Sequence, residues 1–170
     1  RVTFLEGNLE KFDAVIATGS DNTASGYSSL YSNTTGSYNT AYGSQVLEYN
    51  TTGYANTGLG AFALNRNTTG VQNTAFGRAA MYSNTTGAYN TASGYESLNK
   101  NTTGSYNTSY GRQSLYSNTT GADNVAIGNR ALYLNTTGVY NIGIGTQALN
   151  SNTTGNYNTS LGYAALYANT

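Results

Sequence analysis

Large apolar side chains are few along this chain and return at a fixed interval. Leu30, Leu47, Leu64, Met81, Leu98, Leu115, Leu132, Leu149 and Leu166 form a column with a period of 17 residues, in which only Met replaces Leu. A second column at the same period is always small: Ala24, Ala41, Gly58, Ala75, Ala92, Ser109, Ala126, Gly143 and Ser160. The residue after each of these is mostly large and apolar: Ser25, Tyr42, Leu59, Phe76, Ser93, Tyr110, Ile127, Ile144 and Leu161. Neighbours in a strand point to opposite faces, so the small column is expected inside the fold and the larger one outside.

The polar positions keep the same period. Asn-Thr-Thr-Gly begins at Asn33, Asn50, Asn67, Asn84, Asn101, Asn118, Asn135 and Asn152, with a truncated copy at Asn169. Ile16-Ala17-Thr18-Gly19 fills the slot before them in degenerate form. A second Asn column runs from Asn22 and Asn39 to Asn158, and a second Gly column from Gly26 and Gly43 to Gly162. Nine units thus cover residues 16–168, a tenth is cut off at 170, and residues 1–15 stand apart.

Within a unit, short stretches rich in Thr, Tyr, Val, Ile and Leu lie between Gly/Asn corners, which are strand and turn signals. A helix-pair repeat needs about 34 residues, so the shorter unit predicts one β-coil. The expected fold is all-β, a single-chain β-solenoid or β-roll of nine 17-residue coils over residues 16–170. Coils stacked about 4.8 Å apart place each residue on its equivalent in the next coil. The Asn columns then form amide ladders and the Leu column a continuous core, in a rod of about 43 Å.

Residues 1–15 read as an N-terminal cap or connector, with Phe4, Leu5, Leu9 and Phe12 over the first coil and the charges facing water. The chain stops within a repeat, so the natural protein is expected to continue past Thr170. Outside the coil, the stripe Tyr42, Leu59, Phe76, Tyr110, Ile127, Ile144, Leu161 needs cover, and identical chains can supply it. A homo-oligomer is therefore expected.

Composition narrows the chemistry. The 170 residues include 21 Gly and 17 Tyr but no Pro, Cys, His or Trp. Without Cys there is no disulfide, and without Cys or His the usual zinc, iron and copper ligand sets are missing. No cofactor is expected. Seven basic and seven acidic residues give zero net charge, which argues against a nucleic-acid partner. The apolar runs are far short of the roughly 20 residues that span a bilayer, so no membrane insertion is expected, and residues 1–15 do not read as a signal peptide.

Paired-carboxylate catalysis would need two of Glu6, Glu10, Asp13, Asp21, Glu48, Glu96 and Asp123 to converge. Glu48, Glu96 and Asp123 fall in different columns and coils, and the chain does not read as an enzyme. Gly143-Ile-Gly145-Thr-Gln-Ala148 and Gly58-Leu-Gly60-Ala-Phe-Ala63 match a dinucleotide fingerprint only superficially, because no βαβ unit surrounds them.

Several residues are candidates for surface chemistry. Asn33, Asn50, Asn67, Asn84, Asn101, Asn118, Asn135 and Asn152 open N-x-Thr sequons, with Asn107 and Asn158 in two more, so they read either as glycosylation sites or as turn-forming columns. Thr34, Thr51, Thr68 and Thr85 begin a rank at strand spacing, a pattern suited to contact with a surface, ice included. Tyr38, Tyr89, Tyr106, Tyr140 and Tyr157, and the column of Tyr31, Tyr82, Tyr116, Tyr133 and Tyr167, suit sugar stacking or packing between coils. Arg78, Tyr95 and Arg112 share one column, with the ring between two guanidinium groups.

Segments such as Asn124-Val-Ala-Ile-Gly128-Asn-Arg-Ala131, Asn141-Ile-Gly-Ile-Gly145-Thr-Gln-Ala148 and Asn73-Thr-Ala-Phe-Gly77 carry a resemblance. They resemble the head repeats of trimeric autotransporter adhesins and the repeat shafts of phage tail fibres and bacterial surface fibres. The unit is longer than the adhesin coils by an Asn-Thr-Thr-Gly corner and looks more like the tail-fibre repeats. The resemblance implies a parallel homotrimer, an extracellular place on a virion tail fibre or bacterial surface, and attachment to host surfaces or carbohydrate. Two alternatives stay open: an ice-binding solenoid using Thr ladders, and a self-assembling extracellular filament.

Overall fold

A computed structural model of the chain describes residues 2–4 and 18–169. It is an all-β solenoid. Among the described residues ten short strands form one parallel sheet in sequence order: β1 Val2–Phe4, β2 Asn22–Ser25, β3 Thr40–Tyr42, β4 Thr57–Leu59, β5 Thr74–Phe76, β6 Thr91–Ser93, β7 Thr108–Tyr110, β8 Val125–Ile127, β9 Ile142–Ile144 and β10 Thr159–Leu161. From β2 onward each strand pairs with its equivalent one repeat on, Ala41 with Gly58 and Leu59 with Phe76 for example. β1 adds to the edge of β2, Val2 opposite Asn22 and Phe4 opposite Ala24. The side chains expected to cap the first coil, Phe4, Leu5, Leu9 and Phe12, lie outside the described residues.

Strands account for three or four residues of each coil, yet the ladder does not stop where they end. Three non-glycine positions per coil have left-handed backbone, for example Tyr89 (φ 59°), Glu96 (φ 53°) and Leu98 (φ 52°). The sequence places its turns at the Gly/Asn corners; the structure adds these three. A left-handed residue costs about 1–2 kcal/mol, and here most turn their N–H along the rod axis into a neighbouring coil. Tyr89 N–H donates to Val71 O at 3.1 Å, Glu96 N–H to Arg78 O at 3.0 Å and Leu98 N–H to Ser114 O at 2.9 Å.

The interior is half aliphatic and half amide. The Leu column is buried from Leu30 to Leu149, and the small column is buried beside it. Each enclosed Leu contributes about 1.5–3 kcal/mol. Both Asn columns are buried as well, from Asn33 to Asn152 in one and from Asn22 to Asn141 in the other. An amide core is tolerable only when every polar atom has a partner, and among the described residues no buried side-chain nitrogen or oxygen is left without one.

Deviations from the repeat occur in compensating sets. Val46 stands where most coils have Ala or Ser, and the next coil offers Gly58 in place of the usual Ala: a Cβ there would lie 2.4 Å from Val46 Cγ1. Ser97, Ser109 and Ser114, all fully buried, replace three alanines together. Their hydroxyls bond one another, Ser97 to Ser109 at 2.7 Å and Ser109 to Ser114 at 2.5 Å. Gly58→Ala is expected to lower stability by about 1–3 kcal/mol through overpacking, and Val46→Ala in the same chain to recover most of the loss. Chemical denaturation of the two variants measures both effects.

Candidate functional site

The interior uses up much of what the sequence offers as surface chemistry. Asn50 Nδ2 donates to Asn33 Oδ1 at 2.8 Å and to Gly53 O at 3.0 Å, while its own Oδ1 accepts from Asn67 Nδ2 at 2.8 Å. The same bonds recur along this column, from Asn33 through Asn50, Asn67, Asn84, Asn101, Asn118 and Asn135 to Asn152, all of them buried. Glycosylation requires a free, accessible Nδ2, so in the folded coil these sequons act as a ladder and not as acceptor sites. Asn107 is buried likewise, its Nδ2 bonded to Asn90 Oδ1 and Gly121 O, and Asn158 Nδ2 is bonded to Asn141 Oδ1 at 3.0 Å.

From Thr34 to Thr136 the first Thr of each corner is half-buried and also committed. The Thr34, Thr51, Thr68 and Thr85 hydroxyls donate to the carbonyls of Thr51, Thr68, Thr85 and Thr102 at 2.9–3.1 Å. The Thr51 carbonyl additionally accepts the N–H groups of Thr34 and Thr35 at 2.9 and 3.1 Å. The more exposed rank is the second Thr, Thr35, Thr52, Thr69 and Thr86, while Thr34, Thr51, Thr68 and Thr85 stand half-buried beside it.

The Tyr column at Tyr38, Tyr89, Tyr106, Tyr140 and Tyr157 is exposed, but its rings largely face one another. Tyr89 and Tyr106 stack at 4.9 Å with 2° between planes, and Tyr140 and Tyr157 at 5.2 Å with 7°. Each pairing covers one face of each ring, and Tyr157 at the end of the column remains 77% exposed. Tyr38 has Asp21 and Ala55 as its column neighbours, and is 64% exposed.

The expected outer stripe does lie outside. Tyr42, Leu59, Phe76, Tyr110, Ile127 and Leu161 are exposed by 39–78%, and Ile144 is half-buried. Ser25 and Ser93 interrupt it.

The chain matches no family model, no curated protein and no solved structure.

The arc of each coil between the second Gly and the next Asn-Thr-Thr-Gly carries a different surface, in which cations rest on aromatic rings. Arg66 lies 5.2 Å above the Tyr82 ring, Lys100 5.0 Å above Tyr116 and Arg130 5.0 Å above Tyr133. Arg78 and Arg112 flank the Tyr95 ring at 5.7 and 5.9 Å, the sandwich expected from their shared column, and Arg78 is also 5.8 Å from Phe62. Arg130 Nε donates to Gln113 Oε1 at 3.1 Å, and Gln113 Nε2 to Glu96 Oε2 at 2.9 Å. Burial, and then the Glu96 carboxylate, push the Tyr116 phenol above its ordinary range, so Lys100 rests on a neutral ring at physiological pH.

This arc also holds an open notch of about 400 Å³. It forms where the column of Tyr31 and Tyr82 carries Glu48 and Asn65 in the two intervening coils. Tyr49, Phe62, Arg66 and Tyr82 line it with Gln45, Glu48, Asn65 and Thr68. Glu48 Oε2 accepts from Gln45 Nε2 and from Asn65 Nδ2, each at 2.9 Å, which fixes the carboxylate. Sequence reasoning found the Arg78–Tyr95–Arg112 column but missed the arc as a surface. Its signal was the pair of non-Tyr residues at Glu48 and Asn65, together with one basic residue in each of five successive coils.

Proposed function

We propose that the chain is a rigid segment of an extracellular fibre, on a phage tail or a bacterial surface, that assembles as a parallel homotrimer and attaches to host surfaces many times over. The outer stripe carries the reading. A coil whose interior polar groups are satisfied still exposes a lengthwise row of Tyr, Leu, Phe and Ile, and a row of this kind on a soluble rod is a contact surface. Identical chains set side by side in the same direction bring equivalent residues to the same height, so the stripe covers itself. Repetition of weak contacts along the rod then supplies avidity without one strong site. The likeness of the Gly-flanked segments to adhesin heads and tail-fibre repeats supports the number three.

Light scattering of the purified chain is expected to give a mass near three times 17.9 kDa. The double variant Leu59→Asn, Ile127→Asn places polar side chains in the stripe and is expected to shift the mass to that of a monomer while the far-ultraviolet circular dichroism stays unchanged. A monomeric wild-type chain would overturn the proposal and turn attention to the exposed Thr35, Thr52, Thr69, Thr86 rank.

A further inference from the structure

Zero net charge conceals a segregation of charge. All five basic residues among residues 18–169 lie on the notched arc: Arg66, Arg78, Lys100, Arg112 and Arg130. They occupy five successive coils, one in each, and so form a row about 19 Å long at the strand spacing. Two carboxylates share the arc, Glu48 and Glu96, giving it a net charge of +3. Both are engaged by amides, Glu48 by Gln45 and Asn65, Glu96 by Gln113. The remaining described acids, Asp21 and Asp123, fall in the exposed Tyr column on the other arc.

The row has a finer order. Arg66 and Lys100 precede an Asn-Thr-Thr-Gly corner, whereas Arg78 and Arg112 follow the second Gly. Cations on one flank are thus two coils apart, about 9.6 Å, which is close to the advance of two sugar rings along an extended polysaccharide. Aromatic rings beneath the cations hold the long side chains down by cation–π contact, so little of their freedom remains to be lost on binding. Ring edges, amides and the Tyr95 hydroxyl, which Arg78 Nη1 approaches at 3.4 Å, lie between the charges. That mixture suits a ligand that presents anionic groups at intervals along a hydroxyl-rich chain. It suits a nucleic acid poorly, since a duplex carries one charge per about 1.7 Å of its axis and meets only one cation per coil here.

We propose that this arc is a binding site for an acidic polysaccharide, whose carboxylate or sulfate groups meet the cation row and whose chain enters the notch between Glu48, Arg66 and Tyr82. The proposal gives a ligand class to the attachment half of the proposed function and rests on that reading. It does not depend on the number of chains.

The test is calorimetric titration of the full chain with polygalacturonate (carboxylated), dextran sulfate (sulfated), neutral dextran and a single-stranded DNA oligomer, with the mass measured by light scattering on the same sample. One of the two acidic polymers is expected to bind, with affinity falling as salt is raised because exposed charges are screened beyond about 10 Å at 0.1 M; which of the two binds separates a uronate from a sulfate ligand. Arg66→Gln and Lys100→Gln are each expected to weaken it about tenfold, the loss of one charge-assisted contact. Lys100→Arg is expected to retain binding, and Asp21→Asn, on the other arc, to leave it unchanged. These side chains are exposed, so an unchanged melting temperature shows that the coil is intact. Absence of binding to both acidic polymers, equal binding of neutral dextran, or binding of DNA alone would overturn the proposal. A trimer that binds neither polymer refutes only the ligand class; a monomer that binds one of them refutes only the fibre assembly.

Discussion

Asn90→Asp is expected to fold nearly as well as the wild-type chain in acid and to lose about 2–4 kcal/mol of stability near pH 7. Asn90 is fully buried in the second Asn column. Its Oδ1 accepts from Asn107 N at 2.9 Å and from Asn107 Nδ2 at 3.1 Å, and an Asp oxygen can take over that duty. Its Nδ2 donates to Asn73 Oδ1 at 3.1 Å and to Gly104 O at 2.9 Å. In Asp an oxygen takes that place and faces two acceptors. A protonated carboxyl can still donate there; an ionised one cannot, and burial adds its own cost to the charge.

The folded pKa of the new group therefore lies above its unfolded value of about 3.9. Below the unfolded pKa both states carry the proton and the variant resembles the parent. As pH rises, the unfolded chain releases its proton first, and stability falls until the folded pKa has been passed. Urea unfolding of variant and parent at pH 3, 5 and 7 gives the difference directly. A gap between the two that stays constant across this range would mean that the ladder tolerates a carboxylate and that its donors are dispensable.

Gly94→Ala is expected to cost far more than Gly162→Ala, although the two glycines occupy one column and share a backbone conformation, φ 135° and 125°. An L-residue in that region carries a strain of about 1–3 kcal/mol, and this part is common to both variants. At Gly94 an added Cβ would also lie 2.5 Å from Gly111 O and 2.7 Å from Gly111 C in the next coil. A backbone atom cannot swing aside, so the coil spacing itself must open. At Gly162 the nearest atom is Ala165 Cβ at 3.9 Å. Melting curves are expected to show a modest shift for Gly162→Ala and, for Gly94→Ala, a loss of about 3 kcal/mol beyond that or failure to fold. Equal shifts would show that backbone strain alone, and not the approach of neighbouring coils, explains this Gly column.

Much of this was legible because stacking makes one residue's environment the next one's too. Ala41 and Gly58 are small for the same reason, and a column of nine such choices reveals an interior that no single alanine could. The Leu column, the Asn ladders and the outward placement of Leu59 and Phe76 followed from period and alternation alone. Leu98 in left-handed backbone did not, because Leu has no local preference for that conformation; only the inter-coil bond from its N–H to Ser114 O accounts for it. The bond of the Thr34 hydroxyl was not legible because its acceptor, the Thr51 carbonyl, becomes visible only once the corner geometry is known. The cation arc escaped because whole-chain charge averages over faces: Arg66 and Asp21 cancel in the sum while standing on different arcs.

The direction of the ladder bonds has a mechanical consequence. Most main-chain bonds, the Asn–Asn amide bonds and the Thr hydroxyl bonds run from coil to coil, nearly along the rod. Tension applied evenly across the shaft stretches a whole layer of them in parallel, so that none yields until many do. Force applied to one end of the chain meets them one after another and peels off a coil at a time. The segment is thus tough as a strut and brittle to unravelling, and its working strength depends on what holds its two ends.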